Sequence, residues 1–373
     1  MKKKKLKKKN IIILTIILLI IIVELINPIK LYNKHLLREL NYSETSINVI
    51  LENNLKDQVL ENEYNKNLDK IFSSSDFNYK NYSIYKDLNA YEINDYVKNV
   101  NKLIEIGYNA SDINNILKTS TDETLKDFLE KDYIKNISDY LQYDFAKLEN
   151  YDRYLLYKEK NNIDNELVVV YVNIGLDKEF YEDTKEVLEF STTMLVNKYN
   201  GLSKDFVPDN LIKVDSSYAV DSKQQGNEEM LKNFYKMSDD CKASTGYKLL
   251  VRSGYRDYKN QQDTYDLYLK TYGKKYAENY VAHAGYSEHQ TGLAVDIKAE
   301  SSNTFKGTKE NKWLIENAYK YGFILRYTDD TEDITGVKHE SWHYRYVGLE
   351  IASYLNEHDM TYDEYYIRFL DRR

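Results

Sequence analysis

Two short segments near the C-terminus restrict the fold of this chain more than any other feature. They are Ser287-Glu288-His289-Gln290-Thr291-Gly292-Leu293-Ala294-Val295-Asp296 and His339-Glu340-Ser341-Trp342-His343-Tyr344-Arg345-Tyr346. Thr291-Gly292 reads as a turn. Leu293 to Ile297 reads as a strand whose period of two puts Leu293, Val295 and Ile297 on one face and Asp296 on the other. In the second segment Trp342, Tyr344 and Tyr346 share the face away from His343 and Arg345. Each strand therefore has an apolar side for a core and a side that carries ionisable groups. His289 lies just before the turn, and Glu340 lies at the entry to the second strand.

Two imidazoles and one carboxylate, His289, Asp296 and His343, make a three-ligand set that suits Zn²⁺ and leaves a coordination position for water. Glu340, three residues before His343, is placed to take the proton from that water. The expectation is a zinc peptidase. His283 and His339 flank the same segments but have no matching partner, and read as surface or supporting groups. A single cysteine, Cys241, excludes an internal disulfide and a Cys-rich metal site, and reads as a buried apolar residue.

The chain has 373 residues and a formal net charge of −8. Lys2 to Lys5 and Lys7 to Lys9 precede the first apolar run, so the remainder of the chain is more acidic still. An acidic body of this kind makes nucleic acid an unsuitable partner. Residues 1–10 read as a cytoplasmic basic segment and residues 11–27 as a membrane anchor. The apolar run Ile11 to Val23 is broken only by Thr15, and Glu24 to His35 contains no Ala, Ser or Gly at which a signal could be cleaved. The expectation is an uncleaved, single-pass anchor in the cell membrane with everything after Asn27 exported; a cleaved signal is the alternative.

Residues 28–160 read as a helical repeat or stalk region. Tyr42-Ser43-Glu44-Thr45-Ser46-Ile47-Asn48-Val49-Ile50-Leu51 reappears as Tyr108-Asn109-Ala110-Ser111-Asp112-Ile113-Asn114-Asn115-Ile116-Leu117. Tyr64, Tyr82 and Tyr85 correspond to Tyr133, Tyr151 and Tyr154. In each copy a Ser or Asn cap precedes Ile residues at helical spacing. Such a module serves as a spacer or as a surface for the cell wall or a partner, and the residues do not separate these uses.

From residue 165 to 373 the texture changes. Leu167 to Val172 is an apolar, β-branched run that reads as a strand. A helix is expected from about Thr184, with Val187, Phe190 and Met194 on one face. Leu231 to Thr245 reads as a helix leading into the strand Lys248 to Val251. Asp257 is placed to cap a helix that carries Gln261, Tyr265 and Tyr268. Only two Pro occur in the chain, which argues against Pro-rich linkers. Strands and helices without a regular βαβ rhythm indicate an α+β fold, here a small antiparallel-sheet zinc peptidase domain preceded by the helical repeats and the anchor.

Ser253-Gly254-Tyr255-Arg256, Ser287 to Asp296 and Glu340 to Val347 together resemble the VanY-type D-alanyl-D-alanine carboxypeptidases, zinc peptidases of the M15 family. The resemblance extends to Leu195 to Lys198, Pro208 to Leu211 and Tyr321 to Tyr327, and covers roughly the last 200 residues. It implies zinc on His289, Asp296 and His343, with Glu340 as the base. It also implies that Arg256 stabilises the oxyanion and that Ser287 and Gln261 help to hold the substrate. The implied reaction is removal of a C-terminal D-alanine from peptidoglycan stem peptides, with L,D-carboxypeptidase or endopeptidase activity as alternatives. A non-enzymatic wall-binding protein that works through the repeats is the reading from another class. Ala284, Thr328 and Ser341 stand where that family often has Pro, and Asp257 where it often has Ser, without removing a functional group.

Overall fold

The computed structural model describes residues 11–15 and 28–371. The chain divides into two compact units, one running to Gln142 and including Lys147–Glu149, the other comprising Tyr143–Ala146 and everything from Asn150 onward.

The first unit is helical, and its internal duplication is visible in matching contacts. Ser43 caps the helix Glu44–Glu52 by accepting from the Ser46 N–H, and Asn109 caps Ala110–Thr119 by accepting from the Asp112 N–H. Tyr42 packs edge-on to Tyr64 with ring centroids 5.2 Å apart, and Tyr108 packs on Tyr133 at 5.0 Å. The preceding helix of each copy ends at a left-handed residue, Asn41 at φ 69° or Gly107 at φ 117°. The next amide then closes back on the last turn, Tyr42 N–H to Leu37 C=O at 3.2 Å and Tyr108 N–H to Leu103 C=O at 3.1 Å.

The same closure occurs a third time, in the second unit, where the sequence suggests a strand. Asn165–Ile174 is a helix (α1), capped by Asp164, which accepts from the Glu166 N–H, and ended by Gly175 at φ 112°. The Leu176 N–H closes onto the Tyr171 C=O at 3.0 Å. The Tyr85 hydroxyl bonds Asn101 in one copy, and the Tyr154 hydroxyl bonds Asn173 on α1 at 2.8 Å in the other. Helix α1 is thus the opening helix of a third, truncated repeat. Its run of Val is buried on several sides, with Val168, Val169, Val170 and Val172 all inside, so the apolar run lacks the one-sided periodicity that marks a surface helix.

The helix expected from Thr184 is also absent. Lys185–Glu186 pairs parallel with Asn200–Gly201, and the chain from Val187 to Met194 runs through turns. Backbone bonds from Lys185 to Tyr199 and from Val187 to Gly201 take the amides that a helix would have used internally.

Among the described residues, no helix is long and apolar enough to cross a membrane. This overturns the expected single-pass anchor and the membrane placement derived from it. Ile11–Thr15 are helical, and residues 16–27 lie outside the described residues, as does the basic segment 1–10. The physical reason is length: an apolar run as short as Ile11 to Val23 falls below the about 20 residues that a spanning helix needs.

The α+β core of the second unit is a four-stranded antiparallel sheet. Its strands are Leu249–Ser253 (β1), Ala294–Ala299 (β2), Phe323–Leu325 (β3) and His343–Tyr346 (β4), in the spatial order β1-β2-β4-β3. Val251, Val295, Ile297, Tyr344, Tyr346 and Phe323 pack from one face onto Met230, Phe234, Met237 and Cys241 of the helix Glu228–Thr245 (α2). The other face carries Asp296, His343 and Arg345. Asp296 stands directly opposite His343 in the β2–β4 ladder, and a register shift between Val251 and Ser253 brings Ser253 opposite Asp296 on β1.

Gly175 tests the repeat closure. A Cβ there would sit 2.9 Å from the Tyr199 ring in a backbone conformation that side chains avoid, whereas at Gly107 the nearest atom is 3.7 Å away. Gly175→Ala is expected to lower unfolding stability by more than about 2 kcal/mol and Gly107→Ala by about 1–2 kcal/mol, measured by urea denaturation. Equal losses would mean that Tyr199 is not packed as described.

Candidate metal centre and catalytic cleft

Each expected ligand is held by a different local device. His289 sits in a short 3-10 turn, Glu288–Thr291, capped by the Ser287 hydroxyl, which accepts from the His289 N–H. The ring's Nδ1 lies 2.7 Å from the Gly254 carbonyl, a pure acceptor, so Nδ1 carries the proton and Nε2 presents its lone pair. That carbonyl belongs to the turn after β1. Gly254 is needed there, because a Cβ would lie 2.2 Å from the Gln225 carbonyl oxygen. His343 is oriented the opposite way: its Nε2 lies 3.1 Å from a Glu288 carboxylate oxygen, and its Nδ1 faces inward. His289 Nε2 and His343 Nδ1 each stand 3.3 Å from the same Asp296 oxygen, Oδ1.

Three ligand atoms from His289, Asp296 and His343 thus lie within 4.8 Å of one another. Asp296 Oδ1 is buried and accepts no hydrogen bond, while both nearest nitrogens can offer lone pairs rather than donors. Clustered acceptors without a donor between them are unfavourable unless a proton or a cation joins them. This donor set fits a divalent metal of the zinc type, with one carboxylate and two imidazoles.

The charges respond accordingly. Burial lowers the His289 pKa despite the attraction of Asp296. Burial also opposes charging of His343, yet its contacts with Asp296 and Glu288 prevail and raise it to about 9. Where no metal joins the cluster, these contacts favour a proton on His343. Glu340 approaches His343 Nδ1 to 3.8 Å, and burial, reinforced by Asp296 and opposed by His343, pushes its pKa up to about 7. A carboxyl group poised near neutrality suits proton transfer.

Arg256 enters the site from the turn after β1, with its guanidinium 3.7 Å from Asp296 Oδ2. It donates to the Gln261 side-chain carbonyl at 2.8 Å and to the Ser253 hydroxyl at 3.1 Å. Gln261 lies on the helix Tyr258–Tyr272 (α3), which Asp257 caps by accepting from the Asn260 N–H. The amide nitrogen of Gln261 donates to the Ala282 carbonyl at 2.7 Å, so both ends of this buried side chain are engaged within the protein. Gln261 therefore steadies Arg256, and a direct role on substrate would require it to exchange a partner. Ser287 is buried and caps the His289 turn. Both residues line a cleft of about 370 Å³ together with Arg252, Tyr280, Tyr327 and Trp342.

The flanking histidines stand apart from this cluster. His283 stacks on Tyr181 at 3.8 Å and touches Glu278 at 3.2 Å, while His339 faces Asp329 at 3.6 Å. Cys241 lies in the core below the sheet, where burial raises its thiol pKa to about 11, unsuited to a nucleophile.

Part of the chain is similar to known proteins. The family profile described as "VanY: D-alanyl-D-alanine carboxypeptidase" matches residues 223–349, which include Arg256, Gln261, Ser287, His289, Asp296, Glu340 and His343. The Bacillus subtilis protein YodJ is 35% identical over 206 residues, covering 52% of this chain and 76% of that protein. The chain belongs to the VanY-type carboxypeptidase family. The bifunctional D-Ala-D-Ala dipeptidase and D-Ala-D-Ala carboxypeptidase VanXYC of Enterococcus gallinarum is 32% identical over 47% of this chain and 94% of its own. The LD-carboxypeptidase LdcB, a solved structure described as revealing the molecular basis of peptidoglycan recognition, is 35% identical. That match covers 50% of this chain and 91% of LdcB, with a TM-score of 0.46.

Glu288 and Arg345 sit inside the VanY-type motifs, yet sequence reasoning assigns neither a role. Glu288 adjoins His289 and Arg345 shares the strand face of His343, which is the available signal. Both are buried beneath the metal cluster.

Because His343 must lose its proton to act as a ligand, metal affinity should depend on pH. With Zn²⁺ as the probe ion, the apparent affinity of the metal-free protein is expected to rise about tenfold per pH unit between pH 7 and 9 and to level off above that. Competition with a chelator of known pH behaviour checks this; a flat profile across that window would contradict the placement of the proton.

Proposed function

We propose that this VanY-type chain is a zinc-dependent carboxypeptidase that removes the C-terminal D-alanine from peptidoglycan stem peptides. The observation that carries the reading is the convergence of three inward-facing ligand atoms with a carboxyl group of near-neutral pKa beside them. His289 through Nε2, Asp296 through Oδ1 and His343 through Nδ1 would hold the ion. When bound, zinc would supply a Lewis acid that activates water and polarises the scissile carbonyl.

The remaining chemistry belongs to side chains of this protein. Glu340 accepts the proton from the attacking water and returns it to the leaving amine, a sequence that its raised pKa favours at neutral pH. Arg256, steadied by Gln261 and Ser253, directs fixed positive charge at the edge of the cluster, where an oxyanion develops on the carbonyl. Ser287 and Gln261 support the substrate site indirectly, Ser287 by shaping the His289 turn and Gln261 by fixing Arg256. The relatives named for D-Ala-D-Ala carboxypeptidase activity support this substrate.

Incubation with defined pentapeptide and tetrapeptide stems, with products read by mass, tests the reading. Loss of one alanine from the D-Ala-D-Ala pentapeptide is expected; cleavage of the tetrapeptide alone would make it an L,D-carboxypeptidase instead. His289→Ala, Asp296→Ala and His343→Ala should each remove most of the stoichiometric zinc. Glu340→Gln should keep the zinc and lose about 10²–10⁴-fold in kcat, with KM changed much less. Near-normal turnover in that variant would exclude Glu340 as the base, and loss of its zinc would make it a ligand.

A further inference from the structure

Beneath the metal cluster lies a chain of buried charges that ends outside the family-matched segment. Glu288 accepts from His343 Nε2 with one carboxylate oxygen, at 3.1 Å, and from Arg326 Nε with the other, at 2.9 Å. The Arg326 guanidinium continues to Asp363, Nη1 to Oδ2 at 2.7 Å. The remaining oxygen of Asp363 accepts from the Asn197 amide at 2.7 Å. Arg345 approaches Glu288 at 3.4 Å and donates to the Met194 carbonyl at 2.8 Å. The side chains of Glu288, Asp363 and Arg345 are 0% exposed and that of Arg326 is 1% exposed.

Two carboxylates and two guanidinium groups balance here: Arg326 bridges Glu288 and Asp363, and Arg345 faces Glu288. With Asp363 taken away, Glu288 would face two cations, and its electron density would be drawn from the His343 N–H toward Arg326. His343 would then be a weaker donor at Nδ1, and a net positive charge would stand next to a site built for a cation. Burial magnifies both effects, since little water reaches these groups. Asn197 and Asp363 lie on either side of residues 223–349, so neither is part of the matched segment.

We infer that Asp363, in the C-terminal segment, is a positioning residue for the metal centre, acting through Arg326 and Glu288 on His343. This rests on the metal-centre reading above. Asp363 occupies the first turn of the short helix Tyr362–Tyr365, which the Thr361–Glu364 capping box starts; the Asn197 amide and Arg326 fix the direction of its side chain, and the neighbouring Tyr362 ring lies against both guanidinium groups. The carboxylate is thus carried to the site by a segment whose own fold is locally defined.

The test uses the full chain and measures zinc affinity of the folded, metal-free protein by chelator competition, with the Co²⁺ absorption spectrum as a second readout. Asp363→Asn keeps the size but removes the charge and one of the two acceptor oxygens. It is expected to weaken zinc binding about tenfold and to shift the Co²⁺ bands. Thr361→Ala breaks the cap of the same helix without touching Asp363, Arg326 or Glu288; it should lower stability while leaving zinc affinity and the Co²⁺ bands as in the parent. If Asp363→Asn does not fold, Asn197→Ala, which keeps every charge and removes one hydrogen bond to Asp363, is expected to weaken binding about threefold. Parent-like affinity in the folded Asp363 variant, or in the Asn197 variant where that one is needed, overturns the inference. So does an equal loss in Thr361→Ala, which would assign the effect to helix packing. Failure of the parent itself to bind zinc would instead overturn the metal-centre reading.

Discussion

The register of β2 against β4 is the constraint on which the site depends. Asp296 pairs with His343, Val295 with Tyr344 and Ala294 with Arg345. A slip of one residue would turn every side chain of one strand to the opposite face, placing Asp296 or His343 against the apolar core. That slip is opposed by the other side of the sheet. Val295, Ile297, Tyr344 and Tyr346 are buried against Met230, Phe234 and Met237 of α2. Each such side chain contributes about 1.5–3 kcal/mol when fully buried. Burial on one face therefore sets the ligand geometry on the other.

On the cleft side the difficulty is reversed, because ionisable groups are held away from water. Their arrangement answers it group by group. His289 is steadied by a backbone carbonyl and His343 by a carboxylate, so the two rings present different nitrogens to a common point. Glu288 is fully buried, but Arg326, His343 and Arg345 hold its carboxyl far below the ordinary range. Removing one member of such a buried pairing typically costs about 3–5 kcal/mol, so the ion chain beneath the cluster is as tightly specified as the apolar core. Arg256 is fixed more loosely, by one amide and one hydroxyl, and remains at the border of the cleft.

Much of this is legible along the chain. The alternation around Asp296 and His343 identifies both strands and the face each residue takes, and Asp257 marks the start of α3. The departures have physical causes. Leu167 to Val172 looks like a strand because its Val residues are β-branched and contiguous, but Asp164 and Gly175 frame it as a helix and tertiary burial on several sides accepts the run. The spacing of Val187, Phe190 and Met194 suggests a helix, whereas the amides of Lys185 and Val187 find partners in the segment Tyr199 to Gly201. The apolar N-terminal run resembles an anchor because of its lysine flank, although its length falls short of a bilayer core.

The sequence by itself determined which residues can do chemistry here, and which side of each strand they occupy, because side-chain type and the two-residue period are local properties. It also determined the repeat, since the Ser43 and Asn109 caps and their Tyr partners recur in order. Only the tertiary structure decided that His289 offers Nε2 and His343 offers Nδ1, that Gln261 is committed to Arg256, and that Arg326 links Glu288 to Asp363. Those outcomes depend on groups that are far apart along the chain and brought together by packing. No periodicity within a single element records such contacts, because each is set by where whole strands and helices come to rest against one another.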